Sequence, residues 1–429
     1  MVSLTMLVIS LVLFVVRVPV SISMGIATIA GFLLLPMPIN VMATRMVEGV
    51  DGFALLAVPF FILAGNLMNA GGVTEKIFAF ARALFGWIHG GLAQVNIAAS
   101  IIFAGMSGSA LADLAGLGAV EIRAMKSAKY PVGFSAAVTL ASCTIGPLVP
   151  PSIVLVIYGL ATNTSIGQLF LGGVFAGLAV AGSLMVFVYL YVRITGAEWA
   201  KPEPFVVENI VRTGVGGAPA LFAPVIILGS LVLGVTTPSE LGAIAAGYAL
   251  LVGLLYRKFT WANLKNALVN TVVMTSVIMY LFAIASAMNL IVARERIAIE
   301  IAELMVNYVQ SPIAGILLIN AFLLLVGMFL EGPVAILIIA PILLEVVSEF
   351  GMGPVQFGIM LSFNLLIGLI TPPVGIGLFV GAKVAGTTPE KVLRASVPFF
   401  VPLFFGLALI SFVPAISTWL PSLVFGVSQ

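Results

Sequence analysis

The stretch GLITPPVG, residues 368–375, interrupts a long apolar run with two adjacent prolines. Proline has no backbone N–H, so in a helix it leaves the carbonyl four residues earlier without its usual partner. Water is not available in the bilayer core to hydrogen-bond that carbonyl. The double proline therefore predicts a helix that is broken within the membrane and whose free backbone groups find another partner.

The composition indicates a polytopic membrane protein. Of the 429 residues, 62% are hydrophobic and only 8% are charged, whereas soluble domains carry about 25% charged residues. Mean hydropathy is +1.25. The net charge of +2 gives no indication of nucleic acid as a partner. A single cysteine, Cys143, excludes an intrachain disulfide, and the first apolar segment is expected to be a retained span rather than a cleaved signal.

A second double proline indicates an internal repeat. The stretch GPLVPPSI, residues 146–153, places its prolines 222 residues before those of the first stretch, and several glycines keep the same offset. Duplicated halves with paired broken helices are typical of secondary transporters. We therefore predict two repeats, residues 1–192 and 219–429, joined by a cytoplasmic linker over 193–218. The broken helices are expected at about 132–163 and 355–383.

Each half also contains an apolar pair that is too long for one crossing. The sequence MSGSA interrupts the pair at about 92–120, and LEGP interrupts the pair at about 313–344. Irregular backbone at membrane depth is tolerated only inside protein or beside a cavity. We therefore predict two re-entrant hairpins. The fold class is an all-α polytopic membrane protein with two repeats, each containing a re-entrant helical hairpin and a proline-broken transmembrane helix.

Basic residues predict the orientation of the chain. The loop 256–266 holds Arg257, Lys258 and Lys265 and no acid, and bases also outnumber acids in 121–131 and 383–394. The loop 345–354 holds two acids and no base. The positive-inside rule places the first three loops and the linker in the cytoplasm. The two repeats are then inverted, with hairpin one entering from the cytoplasm and hairpin two from outside.

The hairpin tips and helix breaks offer oxygen ligands of the kind that sodium, a hard cation, takes. The four prolines are expected to free the carbonyls of Gly146, Pro147, Gly368 and Leu369. Tip one adds Ser107, Gly108 and Ser109, and tip two adds Gly327, Glu331 and Gly332, with Thr371 at the second break. We predict one cation site per half. The alternative is that the prolines only bend the helices and that water satisfies the carbonyls.

Three further charged or polar residues stand out. Asp113 follows Ser109 by four residues, on the same face of the return helix of the hairpin. An acid within a membrane segment is a candidate for function, although Asp113 could instead lock the hairpin by hydrogen bonding and Glu331 could be a structural cap. Arg294 either ends a span or meets a carboxylate of a substrate or partner protein. Ser165 is expected to cap the helix that begins at Ile166.

Six segments together resemble the large membrane subunit of tripartite ATP-independent periplasmic (TRAP) transporters, and the resemblance covers nearly the whole chain. They are FALLAVPFFILAGNLMNAGG (53–72), FAGMSGSALAD (103–113), GPLVPPSIVLVIYG (146–159), SIGQLFLGG (165–173), GVTTPSELGAIAAGYAL (234–250) and ITPPVGIGLFV (370–380).

The resemblance implies a sodium-driven importer of the bacterial inner membrane that works by an elevator movement. It implies a small four-helix membrane subunit, a soluble periplasmic binding protein and an organic-acid substrate such as a sialic acid or a C4-dicarboxylate. It implies no cofactor beyond Na⁺ as coupling ion, and membrane lipid around the chain. The amphipathic stretches near 73–88 and 293–309 would be arms that join the moving part to the scaffold.

The resemblance also implies roles for individual residues. The first sodium region comprises Ser107, Gly108, Ser109, Gly146 and Pro147. The second comprises Gly327, Glu331, Gly368 and Thr371. Asp113, Arg294 and Ser165 are assigned to the substrate path or to the docking surface for the binding protein.

Other functions remain as alternatives. A self-sufficient carrier of sodium and divalent anions would share the hairpin architecture but need no binding protein. An ion channel would conduct without accumulating substrate, and the paired breaks argue against it. A membrane enzyme would require a nucleophile, base or metal cluster, and the sequence offers none.

Overall fold

The computed structural model describes residues 2–16, 18–309, 311–372 and 374–426, and within these ranges all regular structure is helical. The first half contains eleven helices: α1 (Val2–Val15), α2 (Val20–Leu34), α3 (Ile39–Glu48), α4 (Ala57–Ala70), α5 (Val73–Phe85), α6 (Leu92–Ser107), α7 (Ala110–Ala115), α8 (Leu117–Ser127), α9 (Val132–Cys143), α10 (Ile153–Thr162) and α11 (Ile166–Thr195). Residue Pro373, one of the four prolines of the predicted breaks, lies outside the described residues.

The described part of the second half contains another eleven α-helices: α12 (Val207–Val232), α13 (Pro238–Leu255), α14 (Trp261–Arg294), α15 (Ile297–Tyr308), α16 (Pro312–Phe329), α17 (Gly332–Glu349), α18 (Pro354–Leu369), α19 (Ile376–Ala385), α20 (Pro389–Ser396), α21 (Phe400–Phe412) and α22 (Ala415–Phe425). Across the described ranges, eight helical segments are long and apolar enough to cross a membrane by length and composition. The chain is therefore an all-α multi-pass membrane protein.

Both predicted interruptions are turns between helices. Hairpin one is α6 returning through α7 and α8, and hairpin two is α16 returning through α17. The broken helices are α9 with α10 and α18 with α19, and the double prolines lie between the members of each pair. Hairpin one packs on α9, hairpin two packs on α18, and α17 also packs on α10. The two hairpins and the two broken helices thus form one packed group.

Buried amides join each hairpin to the broken helix that follows it. The amide of Asn96 on α6 donates to the Thr139 hydroxyl at 2.7 Å and accepts from the Ser142 hydroxyl at 2.7 Å. In the second half, the Asn364 amide on α18 donates to Asn320 Oδ1 on α16 at 2.6 Å. Buried amides of this kind stay in the interior only when they are paired. Both hairpins are therefore fixed to their broken helices by polar as well as apolar contacts.

The segment between the halves is more helical than its charge pattern indicates. Helix α11 continues to Thr195 and α12 begins at Val207, so the irregular part of the linker is 196–206, apart from one short turn. Charged residues end the apolar runs but do not end the helices, since α11 continues past Arg193 and α12 includes Arg212. Arg82 at the end of α5 forms a bidentate ion pair with Glu203, with Nη2–Oε1 at 2.7 Å.

Candidate functional site

Hairpin one touches the first break through Gly108. This residue ends α6 with φ of +58°, a left-handed conformation that favours glycine. A methyl group placed on Gly108 would collide with the carbonyl oxygen of Pro151 and lie 3.2 Å from the backbone nitrogen of Ile153. The sequence places glycine here because the backbone of the hairpin tip lies directly on the backbone of the broken helix.

The predicted ligands of the first region converge around Gly146. A methyl group on Gly146 would lie 3.9 Å from the Ser109 carbonyl carbon and 3.9 Å from Asp113 Oδ2. Ser109 is the N-cap of α7 and accepts from Ala112 N at 3.4 Å. The structure therefore brings Ser109, Gly146 and Asp113 together, with Gly108 one residue away.

This region contains buried oxygen atoms without partners. Ser107 is 3% exposed and Asp113 is fully buried, and neither the Ser107 hydroxyl nor either carboxylate oxygen of Asp113 forms a hydrogen bond within the described part of the chain. The side chains of Ser100 and Cys143 lie next to the Asp113 carboxyl group, so the hypothesis that Asp113 locks the hairpin by hydrogen bonding stays a prediction. Buried polar groups without partners are costly, and a hard cation would satisfy oxygen ligands of this type.

Two of the carbonyls that were expected to be free have partners. The Ser152 hydroxyl donates to Pro147 O, and the backbone N–H of Thr371 donates to Gly368 O at 3.0 Å. A serine at the N-cap of α10 and a tight turn at the end of α18 replace the bonds that the prolines remove. The expectation that these two carbonyls lack partners is wrong, although a carbonyl oxygen keeps a second lone pair.

The second region is built on a contact between two glycines. A methyl group on Gly368 would lie 2.5 Å from Gly327 Cα, and one on Gly327 would lie 2.9 Å from Leu365 O. The Thr371 hydroxyl donates to Ile367 O at 2.6 Å, so it is turned back onto its own helix. Helices α16 and α18 therefore meet backbone to backbone beside the second break.

Glu331 lies apart from these glycines at the start of α17. It is exposed and occupies the N-cap position, but its side chain caps no backbone N–H. The hypothesis of a structural cap is therefore wrong. Its neighbour Gly332 faces Val154 on α10, because a methyl group there would lie 4.0 Å from both Val154 methyl carbons. Tip two thus approaches the first broken helix.

The remaining predicted residues lie at helix ends. Ser165 caps α11 as expected, accepting from Gln168 N at 3.4 Å, and it is exposed. Arg294 is exposed and is the last residue of α14. Neither of them belongs to the cluster around Gly146.

Glu121 is a residue that sequence reasoning placed wrongly. The loop 121–131 was expected to be cytoplasmic, but α8 extends to Ser127 and buries Glu121 completely, with both carboxylate oxygens unpartnered within the described residues. The signal was present in the sequence, because Leu117, Glu121 and Met125 are spaced four residues apart and share one buried helix face.

Tyr130, in the loop between α8 and α9, fixes the start of hairpin one. The Tyr130 hydroxyl donates to Gly90 O at 3.0 Å and accepts from Leu92 N at 3.1 Å. Burial raises the pKa of Tyr130 to about 12. The hydroxyl therefore stays protonated and able to donate at physiological pH.

Comparisons with known proteins agree with this architecture. Residues 7–416 match the family described as the tripartite ATP-independent periplasmic transporter, DctM component. The chain is 42% identical over 396 residues to the sialic acid TRAP transporter large permease protein SiaM of Vibrio cholerae, covering 91% of each chain. It is 34% identical to the C4-dicarboxylate TRAP transporter large permease protein DctM of the same species, covering 96% of each.

A further relative and one solved structure extend the comparison. The sialic acid TRAP transporter permease protein SiaT of Haemophilus influenzae is 37% identical, with 96% of this chain and 67% of that protein covered. The crystal structure of the YdaH transporter of Alcanivorax borkumensis superposes with a TM-score of 0.65 over 90% of this chain and 89% of that one. At 15% identity, this similarity concerns the fold alone.

Proposed function

Because the chain belongs to the family of DctM components of tripartite ATP-independent periplasmic transporters, we propose that it is the large transmembrane subunit of a sodium-coupled importer of an organic acid. It is a multi-pass protein of the bacterial inner membrane and a transporter rather than an enzyme. The observation that carries the sodium proposal is the backbone contact of each hairpin with a proline-containing break, at Gly108 with Pro151 and at Gly327 with Gly368.

The first sodium site is formed by hairpin one and the break between α9 and α10. Its ligands are drawn from Ser107, Gly108, Ser109, Gly146 and Pro147. Support comes from the unpartnered Ser107 hydroxyl and from the buried carboxyl group of Asp113, whose Oδ2 lies beside Gly146. A sodium ion here would neutralise a buried negative charge that has no other counter-ion in the described surroundings.

The second sodium site is formed by hairpin two and the break between α18 and α19. Its ligands are drawn from Gly327, Glu331, Gly368 and Thr371. Support comes from the close contact of Gly327 with Gly368. Because Glu331 is exposed, its carboxylate reaches this site only if tip two closes over it.

Transport proceeds by movement of the hairpins and broken helices against the other helices, in two inverted repeats. The amide networks of Asn96 with Ser142 and of Asn320 with Asn364 support this proposal, because each ties a hairpin to its broken helix as one unit. Helices α5 and α15, next to the hairpins in the chain, act as the connecting arms. Asp113, Arg294 and Ser165 line the substrate path or the docking surface.

The substrate is a sialic acid or a C4-dicarboxylate, as the names of the relatives indicate. It is delivered by a soluble periplasmic binding protein, and a small four-helix membrane subunit completes the permease. Dependence on the binding protein distinguishes this function from that of a self-sufficient sodium/divalent-anion carrier.

The test is uptake of labelled sialic acid and succinate into proteoliposomes that contain this chain and the small subunit. Uptake is measured with and without an inward sodium gradient, and with and without the binding protein. We expect accumulation of one acid only when both are present. Accumulation with sodium alone would favour the self-sufficient carrier, and equal uptake without sodium would refute the coupling.

A further inference from the structure

An asparagine-lined cavity lies between the end of α4 and the start of α14. It has a volume of about 430 Å³, is widely open to the surface, and receives Asn66 and Asn69 from α4 and Asn263, Asn266 and Asn270 from α14. Known ligand pockets occupy about 300–1,000 Å³. The loop that bears Lys258 contributes to the cavity and belongs to the face that the positive-inside rule places in the cytoplasm.

The amides occupy one face of each helix. Asn66 and Asn69 are three residues apart, and Asn263, Asn266 and Asn270 follow at intervals of three and four, so each set projects in one direction. The side of α14 that faces away from these asparagines carries Val272, which is apolar and exposed. The three asparagines of α14 therefore form a polar face that is directed at the cavity, on a helix whose opposite side is apolar.

Most of these amides have no role in holding the fold together. Asn66 donates to the Thr271 hydroxyl at 2.9 Å and so joins α4 to α14. The side chains of the other four asparagines are exposed, and within the described ranges they form no hydrogen bond with the protein. Each amide offers two N–H donors and a carbonyl acceptor. The cavity therefore presents several donor and acceptor groups that are available to a ligand.

The cavity adjoins hairpin one. A methyl group on Gly116, at the junction of α7 and α8, would lie 2.6 Å from Asn69 Oδ1. One turn earlier on α4, a methyl group on Gly65 would lie 3.1 Å from Ser107 O at the hairpin tip. A single face of α4 therefore leads from the first candidate sodium region to the cavity.

The positively charged side chain of Lys258 lies at the edge of the cavity. Gly72 has φ of +72°, and a methyl group there would lie 2.8 Å from Lys258 Cγ, so the lysine stem rests on the glycine. The ammonium group suits a carboxylate. The Glu75 carboxylate, which also lines the cavity, can accept a hydrogen bond from a hydroxyl group.

We propose that the asparagine-lined cavity is a substrate-release site, which binds the substrate before it leaves for the cytoplasm. The substrate is a carboxylate that carries several hydroxyl or amide groups, such as a sugar acid. Lys258 binds the carboxylate and the amides bind the hydroxyls. A plain dicarboxylate has no hydroxyl or amide groups to hydrogen-bond with the asparagine amides and would bind there more weakly. This inference rests on the proposed function and narrows its substrate class.

The test uses site-directed labelling, which the sequence makes simple because the only cysteine, Cys143, is buried. Asn263→Cys places a thiol at the cavity, and Lys265→Cys places one at the same level on the opposite face of α14. Both variants are made in the complex with the small subunit, in nanodiscs, and the rate of reaction with a water-soluble maleimide is measured. N-acetylneuraminate is the probe ligand, and succinate is the comparison.

We expect N-acetylneuraminate at about twice its dissociation constant to slow labelling of Asn263→Cys about threefold, with no effect on Lys265→Cys. Succinate should give little protection. Equal protection by both acids would overturn the assignment to polyhydroxylated acids, and no protection by either would overturn the site.

Uptake measurements on the same complexes distinguish a failure of this inference from a failure of the proposed function. Asn266→Leu should slow sugar-acid uptake and Asn266→Gln, which keeps the amide, should restore it. If the unmodified complex accumulates an acid and the Asn266→Leu variant is equally active, the proposed release site is refuted, but the proposed importer function is not. If the unmodified complex accumulates no acid under any condition, the proposed function itself fails.

Discussion

Gly327 and Gly368 pack against each other so closely that a methyl group on Gly368 would lie 2.5 Å from Gly327 Cα. This contact joins the outgoing helix of hairpin two to the last turn before the second break. Contacts shorter than 3.0 Å between a new methyl group and backbone require the helices to separate, and overpacking of this type costs about 1–3 kcal/mol.

Gly368→Ala should therefore lower the thermal stability of the purified protein and reduce uptake. Gly247→Ala is the matched control, because it lies inside α13 with nothing within 4 Å of the added methyl group. The control should be neutral or stabilising by about 0.5–1 kcal/mol. Equal thermal stability of the two variants would show that the glycine contact is not needed.

Gly108→Ala should be more harmful than the left-handed backbone alone explains. Gly108 and Gly196 both end a helix with similar positive φ, +58° and +61°, but only Gly108 faces another backbone, at Pro151. Gly196→Ala should cost about 1–2 kcal/mol from the backbone conformation. Gly108→Ala should lose more stability and abolish uptake, and the pair is compared by thermal unfolding and transport at equal protein amounts. Similar losses in both variants would refute the contact of tip one with the first break.

Tyr130→Phe should destabilise the start of hairpin one by about 1–3 kcal/mol, because the buried Leu92 N–H loses its acceptor and Gly90 O loses its donor. The pKa of this tyrosine is raised from 10.0 to about 12 by burial. The folded state therefore holds the proton more tightly than the unfolded state. The stabilisation is complete below pH 10 and declines only as the pH rises from there towards 12.

The destabilisation should thus be the same at about pH 6 and about pH 9. It is measured as the difference in unfolding temperature between Tyr130→Phe and the unmodified protein at each pH. A difference that shrinks between these two values would mean that the hydroxyl ionises near neutrality.

Much of the fold could be predicted from the sequence. The hairpin interruptions at MSGSA and LEGP and the double-proline breaks all coincide with helix ends, because glycine and proline act on the local backbone in every context. Helix limits outside the membrane were less predictable. Charge marks where a span leaves the bilayer, but α12 begins at Val207 within the segment that charge identified as linker.

The site could be predicted only in part. Ser109 and Gly146 meet, as the expected pairing of hairpin tip with helix break indicated, and Asp113, which was assigned to the substrate path or docking surface, lies beside them. The carbonyl of Pro147 is occupied by Ser152, a partner five residues along the chain that the proline argument did not consider. Glu121 was missed because its charge suggested a loop, although its spacing from Leu117 and Met125 indicated a buried face. Which buried oxygens remain unpartnered depends on tertiary packing, and a single sequence does not contain that information directly.

The central claim is that hairpin one and the first break hold a coupling sodium ion, and Ser107→Ala tests it most directly. The Ser107 hydroxyl has no hydrogen-bond partner among the described residues, so its removal should leave stability nearly unchanged. Ser142→Ala is the control, because the Ser142 hydroxyl donates to Asn96 and its loss should lower stability without changing the sodium affinity.

The measurement is the sodium concentration that gives half-maximal uptake in proteoliposomes with the small subunit and the binding protein. We expect Ser107→Ala to raise this concentration about tenfold, which corresponds to the loss of about 1.4 kcal/mol of binding free energy, while Ser142→Ala keeps the unmodified value. An unchanged sodium dependence in Ser107→Ala, with uptake intact, would contradict the placement of the ion at the hairpin tip.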